Sequence, residues 1–169
     1  AYLRELHFES VQITEWCSNV FAPLKSLQKL VVERTKAPNY HAFRQLNGLR
    51  ELKLSQFSTI KIDENFFDNH TNMVHLDLSF LYSAKRTFSN SSIDLNALES
   101  LYLSENNYLN IQLDCEISNL ENLEFLDLSL SPKYSYDSKV QEIKLSETTF
   151  MRTKNLKYLN LKGNHIILE

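Results

Sequence analysis

The residues that could perform catalysis are few and scattered. The chain has 169 residues, with five histidines, two cysteines and two glycines. Gly48 and Gly163 lie too far apart for a Gly-rich phosphate loop. No zinc-protease helix motif, nucleophile elbow or Cys-x-x-Cys pair occurs. We therefore expect a protein that is not an enzyme, with no catalytic residues, no metal and no cofactor.

Two tripeptides have the form of N-glycosylation sequons, Asn69-His70-Thr71 and Asn90-Ser91-Ser92. Both lie outside the Leu-rich segments of the sequence, where a glycan is tolerated. Glycans at Asn69 and Asn90 would indicate secretion. Since Asn, Ser and Thr are all common in this sequence, two such tripeptides can also arise by chance.

Charge and composition exclude some classes of protein. The net charge is −3 and 43% of the residues are hydrophobic. A nucleic-acid binder usually has a basic excess, so we expect no nucleic-acid partner. No apolar run approaches the roughly 18 residues of a membrane span. The chain opens on Ala-Tyr-Leu-Arg-Glu, so we expect no signal peptide within it, and a signal that was removed or never included is the alternative.

An internal repeat runs along the whole chain, and its period decides the fold. The pattern is Leu-x-x-Leu-x-Leu with conservative replacements, and its successive starts are 24, 22, 24, 25, 25 and 33 residues apart. Its members are Leu3-Leu6-Phe8, Leu27-Leu30-Val32, Leu49-Leu52-Leu54, Met73-Leu76-Leu78, Leu98-Leu101-Leu103, Leu123-Leu126-Leu128 and Leu156-Leu159-Leu161. An amphipathic helix does not give this pattern, because its apolar residues recur about every 3.6 positions without a pause.

The repeat predicts an α/β solenoid. The Leu-x-Leu core alternates with period two, so it forms a short strand with one face inward, and equivalent strands stack as a parallel sheet. Six residues before each new repeat stand Phe21, Phe43, Phe67, Ser92, Ile117 and Phe150, and three before stand Leu24, Leu46, His70, Leu95, Leu120 and Thr153. We expect these returning residues to form the other wall of the core, in irregular or 3-10 segments. No repeat can bury its apolar face alone.

This pattern resembles the leucine-rich-repeat family over essentially the whole chain. The period near 24 and the returning phenylalanine look like the class found in animal extracellular receptors. The stretches 122–129, Asn-Leu-Glu-Phe-Leu-Asp-Leu-Ser, and 155–161, Asn-Leu-Lys-Tyr-Leu-Asn-Leu, look like Toll-like receptor ectodomains. The resemblance implies a horseshoe with strands on its concave face.

The repeats suggest one array over residues 1–169, with about seven repeats starting near 3, 27, 49, 73, 98, 123 and 156. The sixth repeat is longer by about nine residues, near 130–141, and we expect a projecting loop that carries Tyr134 and Tyr136. A tolerated surface insertion is the alternative. The sequence shows no capping repeat at either end. We infer an uncapped fragment of a longer solenoid, or ends that a partner chain covers.

The polar ladder of the family is expected to be irregular. The family usually places Asn three residues after the last strand leucine, where it bonds the neighbouring turn. Here those positions hold Val11, Thr35, Phe57, Leu81, Asn106, Ser131 and Asn164. Other side chains or water must complete the ladder.

The two cysteines should not pair with each other. Cys17 and Cys115 lie four repeats apart, about 20 Å at the strand spacing, whereas a disulfide needs Cα atoms within about 7 Å. Buried free thiols are the simpler interpretation, and a bond to another part of the protein is the alternative.

Strand residues between the leucines point to the concave face, where we expect a ligand. The outward residues form three rows that cross the repeats. Acidic and aromatic residues concentrate in the later repeats. The predicted ligand-binding residues are Tyr102, Phe125, Asp127, Tyr134, Tyr136 and Tyr158. Exposed aromatics among polar groups suit a protein interface, although single exposed aromatics are also ordinary on protein surfaces.

The leading hypothesis is an extracellular or cell-surface recognition module, receptor-like or secreted, of an innate-immune or cell-surface kind. Its partner would be a protein or microbial ligand, or a second leucine-rich-repeat chain. An intracellular, cytoplasmic scaffold or regulatory protein is the first alternative. A structural spacer between binding regions is the second.

Overall fold

A computed structural model describes most of the chain. The described residues are 2–14, 17, 19–35, 41–56, 67, 69–81, 95–106, 111–112, 117, 120–130 and 142–169. Every structural statement concerns these residues.

Seven short parallel strands form one sheet, and each strand coincides with the Leu-x-Leu core of a repeat. They are β1 (Glu5–Glu9), β2 (Lys29–Glu33), β3 (Glu51–Ser55), β4 (His75–Asp77), β5 (Ser100–Tyr102), β7 (Phe125–Asp127) and β9 (Tyr158–Asn160). The order in the sheet is β1-β2-β3-β4-β5-β7-β9, all parallel. The strand prediction is therefore confirmed, and so is the solenoid fold.

The register places equivalent leucines side by side. Leu30 pairs with Leu52, Leu52 with Leu76, and the row continues through Leu101 to Leu126. These leucines are at most 1% exposed, whereas the strand residues beside them are partly exposed. The inward row is the front wall of a single apolar core.

The returning segments form the rear wall. Phe21, Phe43 and Phe67 are buried, and the Phe21 and Phe43 rings lie 5.4 Å apart between centroids. A 3-10 helix, His41–Gln45, carries Phe43, in agreement with the predicted irregular or 3-10 segments. Phe150 differs from the prediction: it is 37% exposed, because its neighbour Thr149 takes the buried position instead.

A second, smaller sheet lies in the later repeats and was not predicted. It contains β6 (Ile111–Gln112), β8 (Glu142–Leu145) and β10 (His165–Leu168), parallel and in the order β10-β8-β6. Only Ile143 at its centre is fully buried among the apolar residues of β8 and β10.

A left-handed backbone conformation follows nearly every strand. Its members stand seven residues after a repeat start and have φ between 47° and 82°: Ser10, Arg34, Gln56, Phe80, Glu105 and Gly163. Only one of them is glycine, the residue that adopts this region without steric cost. A Cβ at Gly163 would lie 2.0 Å from the carbonyl oxygen of Leu130 in the previous repeat, so the backbones meet there too closely for a side chain.

The polar ladder is irregular, as expected, and a threonine replaces asparagine in it. The Asn106 side chain accepts a bond from the Leu81 N–H (2.8 Å) and donates to the carbonyl groups of Leu78 (2.7 Å) and Leu103 (3.0 Å). In an earlier repeat, the Thr35 hydroxyl donates to the Glu33 carbonyl at 2.8 Å and accepts from the Val11 N–H at 3.5 Å. Thr35 therefore bonds the backbone of the equivalent turn in its own repeat, and its bond from the Val11 N–H is longer than that of Asn106 from the Leu81 N–H.

The expectation for Cys17 was wrong. Its thiol is free and exposed rather than buried, because it precedes the turn that returns the chain to the core at Phe21. Cys115 lies outside the described residues. Within the described part of the chain, no helix has the length and hydropathy needed to span a membrane.

Candidate functional site

The outward side chains of the seven-stranded sheet form one continuous surface, which we call the front face. Parallel strands in register align equivalent residues in rows, so each row crosses all seven repeats. The first row contains Glu5, Lys29, Glu51, His75, Ser100, Phe125 and Tyr158. The second row contains His7, Val31, Lys53, Asp77, Tyr102, Asp127 and Asn160.

A lead-in row borders the first row, one residue before each strand. Backbone hydrogen bonds place it: Glu124 N donates to Glu99 O at 2.8 Å, and Lys157 N donates to Glu124 O at 2.8 Å. The full row reads Arg4, Gln28, Arg50, Val74, Glu99, Glu124 and Lys157.

The front face over β1–β4 carries charges that pair with one another, and we call it the charged half. Lys53 lies 2.8 Å from a carboxylate oxygen of Glu33 and 3.4 Å from one of Asp77. Lys29 lies 2.8 Å from Glu51 in the next strand. Each of these pairs joins neighbouring strands: Lys29–Glu51 and Lys53–Asp77 are direct register partners, whereas Glu33 reaches Lys53 diagonally.

The pairing shifts the ionisation of these groups. The Lys53 ammonium, by its hydrogen bond, holds the pKa of the Glu33 carboxyl below its usual value, although partial burial opposes the shift. The Glu33 hydrogen bond in turn raises the pKa of Lys53, and the Glu51 hydrogen bond raises the pKa of Lys29. These groups therefore stay charged on the folded protein around neutral pH.

A shallow depression of about 350 Å³ lies across the charged half. Among its lining residues are His7, Lys53, Asp77 and Tyr102, so it ends where the first aromatic ring begins. In the described residues, no group of three His, Cys, Asp or Glu side chains is arranged to hold a metal.

The front face over β5, β7 and β9 carries stacked rings, and we call it the aromatic half. Phe125 and Tyr158 are parallel within 6°, with centroids 4.3 Å apart. Tyr102 lies 4.6 Å from Phe125 at an interplanar angle of 33°. Phe125 and Tyr158 pair directly across β7 and β9, so the strand spacing alone places their rings at stacking distance.

These three rings form the aromatic ladder, and Phe125 is its middle member. Since β7 lies between β5 and β9, Tyr102 covers one face of Phe125 and Tyr158 covers the other. Phe125 therefore presents its edge to solvent. Tyr158 is 46% exposed. A sugar ring or a nucleobase needs a free aromatic face on which to stack, whereas apolar protein side chains also pack against ring edges.

Asp127 lies beside the aromatic ladder in the second row, between Tyr102 and Asn160. Its Oδ1 accepts the Ser129 N–H at 2.8 Å, which orients the carboxylate at the end of β7. Among the described residues, no ion pair involves this carboxylate, which is half-buried. Its second oxygen has no hydrogen bond within that part of the chain.

The structure thus brings together four of the predicted ligand-binding residues, Tyr102, Phe125, Asp127 and Tyr158. Tyr134, Tyr136 and Asn90 lie outside the described residues. Asn69 is exposed in a turn after Phe67, away from the front face. The binding and glycosylation roles of all these residues stay predictions.

Sequence reasoning missed two features of the front face. It did not predict the ion pairs of the charged half. A signal was present, because a lysine and a carboxylate occupy the same repeat position in adjacent repeats, as in Lys29 with Glu51 and Lys53 with Asp77.

Sequence reasoning also placed a third row on the open face: Glu9, Glu33, Ser55, Ser79, Ser104, Ser129 and Lys162. Ser55 and Ser79 of this row are buried. Their hydroxyls bond along the row, with Ser55 Oγ 3.1 Å from Glu33 and Ser104 Oγ 3.0 Å from Ser79 Oγ.

The fold is similar to solved leucine-rich-repeat structures. A chain of the mouse RP105/MD-1 complex matches 97% of this chain with a TM-score of 0.64 and 21% identity, and this chain spans 34% of that one. The leucine-rich-repeat ectodomain of the receptor kinase SOBIR1 from Arabidopsis thaliana aligns with 93% of the present chain, and the alignment covers 66% of the SOBIR1 chain. The TM-score is 0.41 and the identity 19%. A chain of an octameric complex of Latrophilin 3, Unc5D and FLRT2 aligns with 97% of the present chain, and the alignment covers 74% of that structure's chain. The TM-score is 0.43 and the identity 15%.

At this level of identity, the likeness to the mouse structure establishes the fold. The chain is a leucine-rich-repeat solenoid. No family model and no curated protein matches the sequence.

Proposed function

We propose that this chain is the recognition part of an extracellular protein, receptor-like or secreted, of an innate-immune or cell-surface kind. It binds a protein ligand through the front face of its sheet. The observation that carries the proposal is the aromatic ladder of Tyr102, Phe125 and Tyr158, three rings in contact on an open sheet surface.

The rings have the properties of a binding hot spot. They are held in place by one another and by the sheet, so little side-chain freedom is lost when a partner covers them. Aromatic residues carry a disproportionate share of the binding free energy in protein interfaces, where truncation of one ring often costs about 2 kcal/mol or more. The solvent-facing ring edges suit a protein side chain better than a stacked sugar or base.

The charged half is a poorer binding centre. Its lysines and carboxylates already satisfy each other at 2.8–3.4 Å, and a partner that covers them must remove water from charges without offering better contacts. We infer that the charged half forms the rim of the interface and that the aromatic half forms its centre.

We propose that the partner bound at the front face is a protein. The similar mouse structure is a complex, RP105/MD-1. We propose by this likeness that a second protein, of microbial or host origin or itself a leucine-rich-repeat chain, contacts the present solenoid.

The extracellular location is supported by Asn69. It is exposed in a turn off the front face, and its sequon supplies Thr71, which is also exposed. A glycan there would leave the aromatic ladder open.

A photocrosslinking experiment tests the binding proposal. The protein carrying p-benzoylphenylalanine at position 125 is incubated with cells or fluid of its own source, with position 148, on the exposed returning turn, as the matched control. We expect a crosslinked protein at position 125, absent at position 148 and competed by unmodified protein. If Tyr102→Ala, Phe125→Ala and Tyr158→Ala together leave binding of that crosslinked partner unchanged, the chain is a spacer.

The second candidate is an intracellular scaffold, and exposed Cys17 favours it, because secreted proteins seldom keep an exposed free thiol. Mass spectrometry of protein from its native source separates the two. A glycan at Asn69 or Asn90, lost in Thr71→Ala for the first site, supports the extracellular proposal. Unmodified asparagines with a fully reduced Cys17 support the scaffold.

A further inference from the structure

Charge is strongly segregated along the sequence. Between Arg86 and Lys133 there is no Lys, Arg or His, whereas eight acidic residues occur there. They are Asp94, Glu99, Glu105, Asp114, Glu116, Glu121, Glu124 and Asp127. The remainder of the chain holds all 18 lysines and arginines and only 13 acidic residues. The two repeats that supply Tyr102 and Phe125 are therefore the acidic part of the protein.

The fold places three of these carboxylates around the aromatic ladder. Glu99 and Glu124 stand next to each other in the lead-in row, on one side of the first row that contains Phe125. Asp127 stands in the second row, on the other side. The middle ring thus lies between acidic residues on both sides.

Two of these carboxylates, Glu99 and Asp127, are less neutralised than those of the charged half. Glu33, Glu51 and Asp77 each lie within 3.4 Å of a lysine. Glu124 lies 2.7 Å from Lys157 and is about as exposed as Glu51, so it is neutralised to a similar degree. Within the described residues, neither Glu99 nor Asp127 takes part in an ion pair. Beside Phe125, three carboxylates, those of Glu99, Glu124 and Asp127, are thus balanced by one described lysine, Lys157, which leaves an excess of negative charge there.

We propose that the aromatic half docks a basic segment of the protein partner, whose Arg or Lys side chains meet Asp127 and Glu99 while its apolar atoms pack on the ring edges. This inference rests on the proposed function and specifies the chemistry of the ligand. Arginine fits best, because its planar guanidinium bonds a carboxylate with two hydrogen bonds while its apolar stem packs on the ring edges. Charge complementarity speeds the encounter and excludes acidic competitors.

A second copy of this chain fits less well as the occupant. The chain carries a net charge of −3, so two copies repel each other, and Lys29, Lys53, Arg34 and Lys144 are already bound to carboxylates of their own chain. A separate basic partner meets no such competition.

The test uses three short fluorescein-labelled peptides in which Leu and Trp alternate with Arg, with citrulline or with Glu. Citrulline keeps the shape of arginine and removes its charge. We expect the Arg peptide to bind at least about tenfold more tightly than the citrulline peptide by fluorescence anisotropy, with an affinity that falls as salt rises. The Glu peptide should not bind.

Two variants with equal loss of charge locate the contact. Glu99→Gln with Asp127→Asn should weaken Arg-peptide binding about tenfold. The matched control, Glu121→Gln with Glu147→Gln, removes two exposed acids away from the front face and should change it less than about twofold. Circular dichroism shows whether each variant is folded, and NMR line positions of the Phe125 ring report contact directly.

Equal weakening by the two double variants overturns the inference, as does binding of none of the peptides. If the citrulline and Arg peptides bind equally and Phe125→Ala abolishes both, the recognition face stands and the basic partner is wrong. If instead the protein forms a dimer that Phe125→Ala dissociates, the occupant is a second copy.

Discussion

The two halves of the front face are built on the same backbone and present opposite chemistry. Over β1–β4, lysines and carboxylates alternate between neighbouring strands and neutralise each other. Over β5, β7 and β9, the same row positions hold stacked rings beside carboxylates that stay unpaired among the described residues. In a register-matched parallel sheet, each row position repeats at the strand spacing, so small changes of sequence change the surface completely. One half of the face is thus satisfied by its own ion pairs, whereas the other half exposes aromatic rings.

The largest expected change in the free energy of unfolding concerns the turns that follow the strands, where Asn106 and Thr35 bond to the backbone. Asn106→Leu should lower the free energy of unfolding by about 3 kcal/mol, because the buried Leu81 N–H and Leu78 carbonyl both lose their partner. Thr35→Val, in the charged half, removes longer bonds and should cost about 1 kcal/mol. Urea unfolding followed by circular dichroism measures both. Equal losses would show that the threonine serves its turn as well as the asparagine.

The next effect concerns the left-handed residue after the strand. Gly163→Ala should destabilise the protein by about 2 kcal/mol, since its Cβ would meet the Leu130 carbonyl oxygen and φ is +82°. Gln56→Gly, at the same repeat position behind β3, should instead stabilise it by about 0.5 kcal/mol, because strain at φ 58° is relieved. Thermal denaturation gives the sign for each. A neutral Gly163→Ala variant would contradict the close approach of the two repeats.

A double-mutant cycle compares the row contacts themselves. Phe125→Ala and Tyr158→Ala, singly and together, should reveal a coupling free energy of about 1 kcal/mol that salt does not change, because the rings attract by stacking and dispersion. The equivalent cycle on Lys29 and Glu51 should give only a few tenths of a kcal/mol, and salt should reduce it. Similar salt dependence for the two cycles would remove the distinction between the halves.

The smallest effect concerns Lys53. Lys53→Met should cost about 0.5 kcal/mol near neutral pH, since the pairs with Glu33 and Asp77 are partly exposed and screened by water. The control is Lys25→Met, an exposed lysine on a returning turn.

The stabilisation that Lys53 and Glu33 contribute depends on pH, in a direction that follows from their pKa shifts. The pKa of Glu33 is lowered on folding, so its contribution is present above about pH 4.3 and is lost as pH falls through the lower folded value. The pKa of Lys53 is raised, so its contribution is present below about pH 10.4 and is lost as pH rises through the higher folded value. The stability difference between wild type and Lys53→Met should therefore be widest between these limits. A difference that does not narrow in acid would exclude the pair with Glu33 as its source.

The sequence by itself determined the repeat, the seven strands and the inward leucines. Periodicity of two and a spacing near 24 require a stacked parallel sheet, whatever the details of each turn. It also indicated Tyr102, Phe125 and Tyr158 as members of one surface, because the outward residues of aligned strands share one face.

The tertiary structure alone decided how neighbouring repeats meet. Sequence spacing does not say that the Phe125 and Tyr158 rings lie parallel at 4.3 Å, since 33 residues separate them and only pairing of β7 with β9 brings them together. The use of Thr35 in place of asparagine, the exposed side chain of Phe150 and the sheet of β6, β8 and β10 also arise from contacts between repeats. The physical reason is the same in each case: periodicity specifies which residues face inward, whereas packing across repeats sets the distances on which stacking, ion pairing and hydrogen bonding depend.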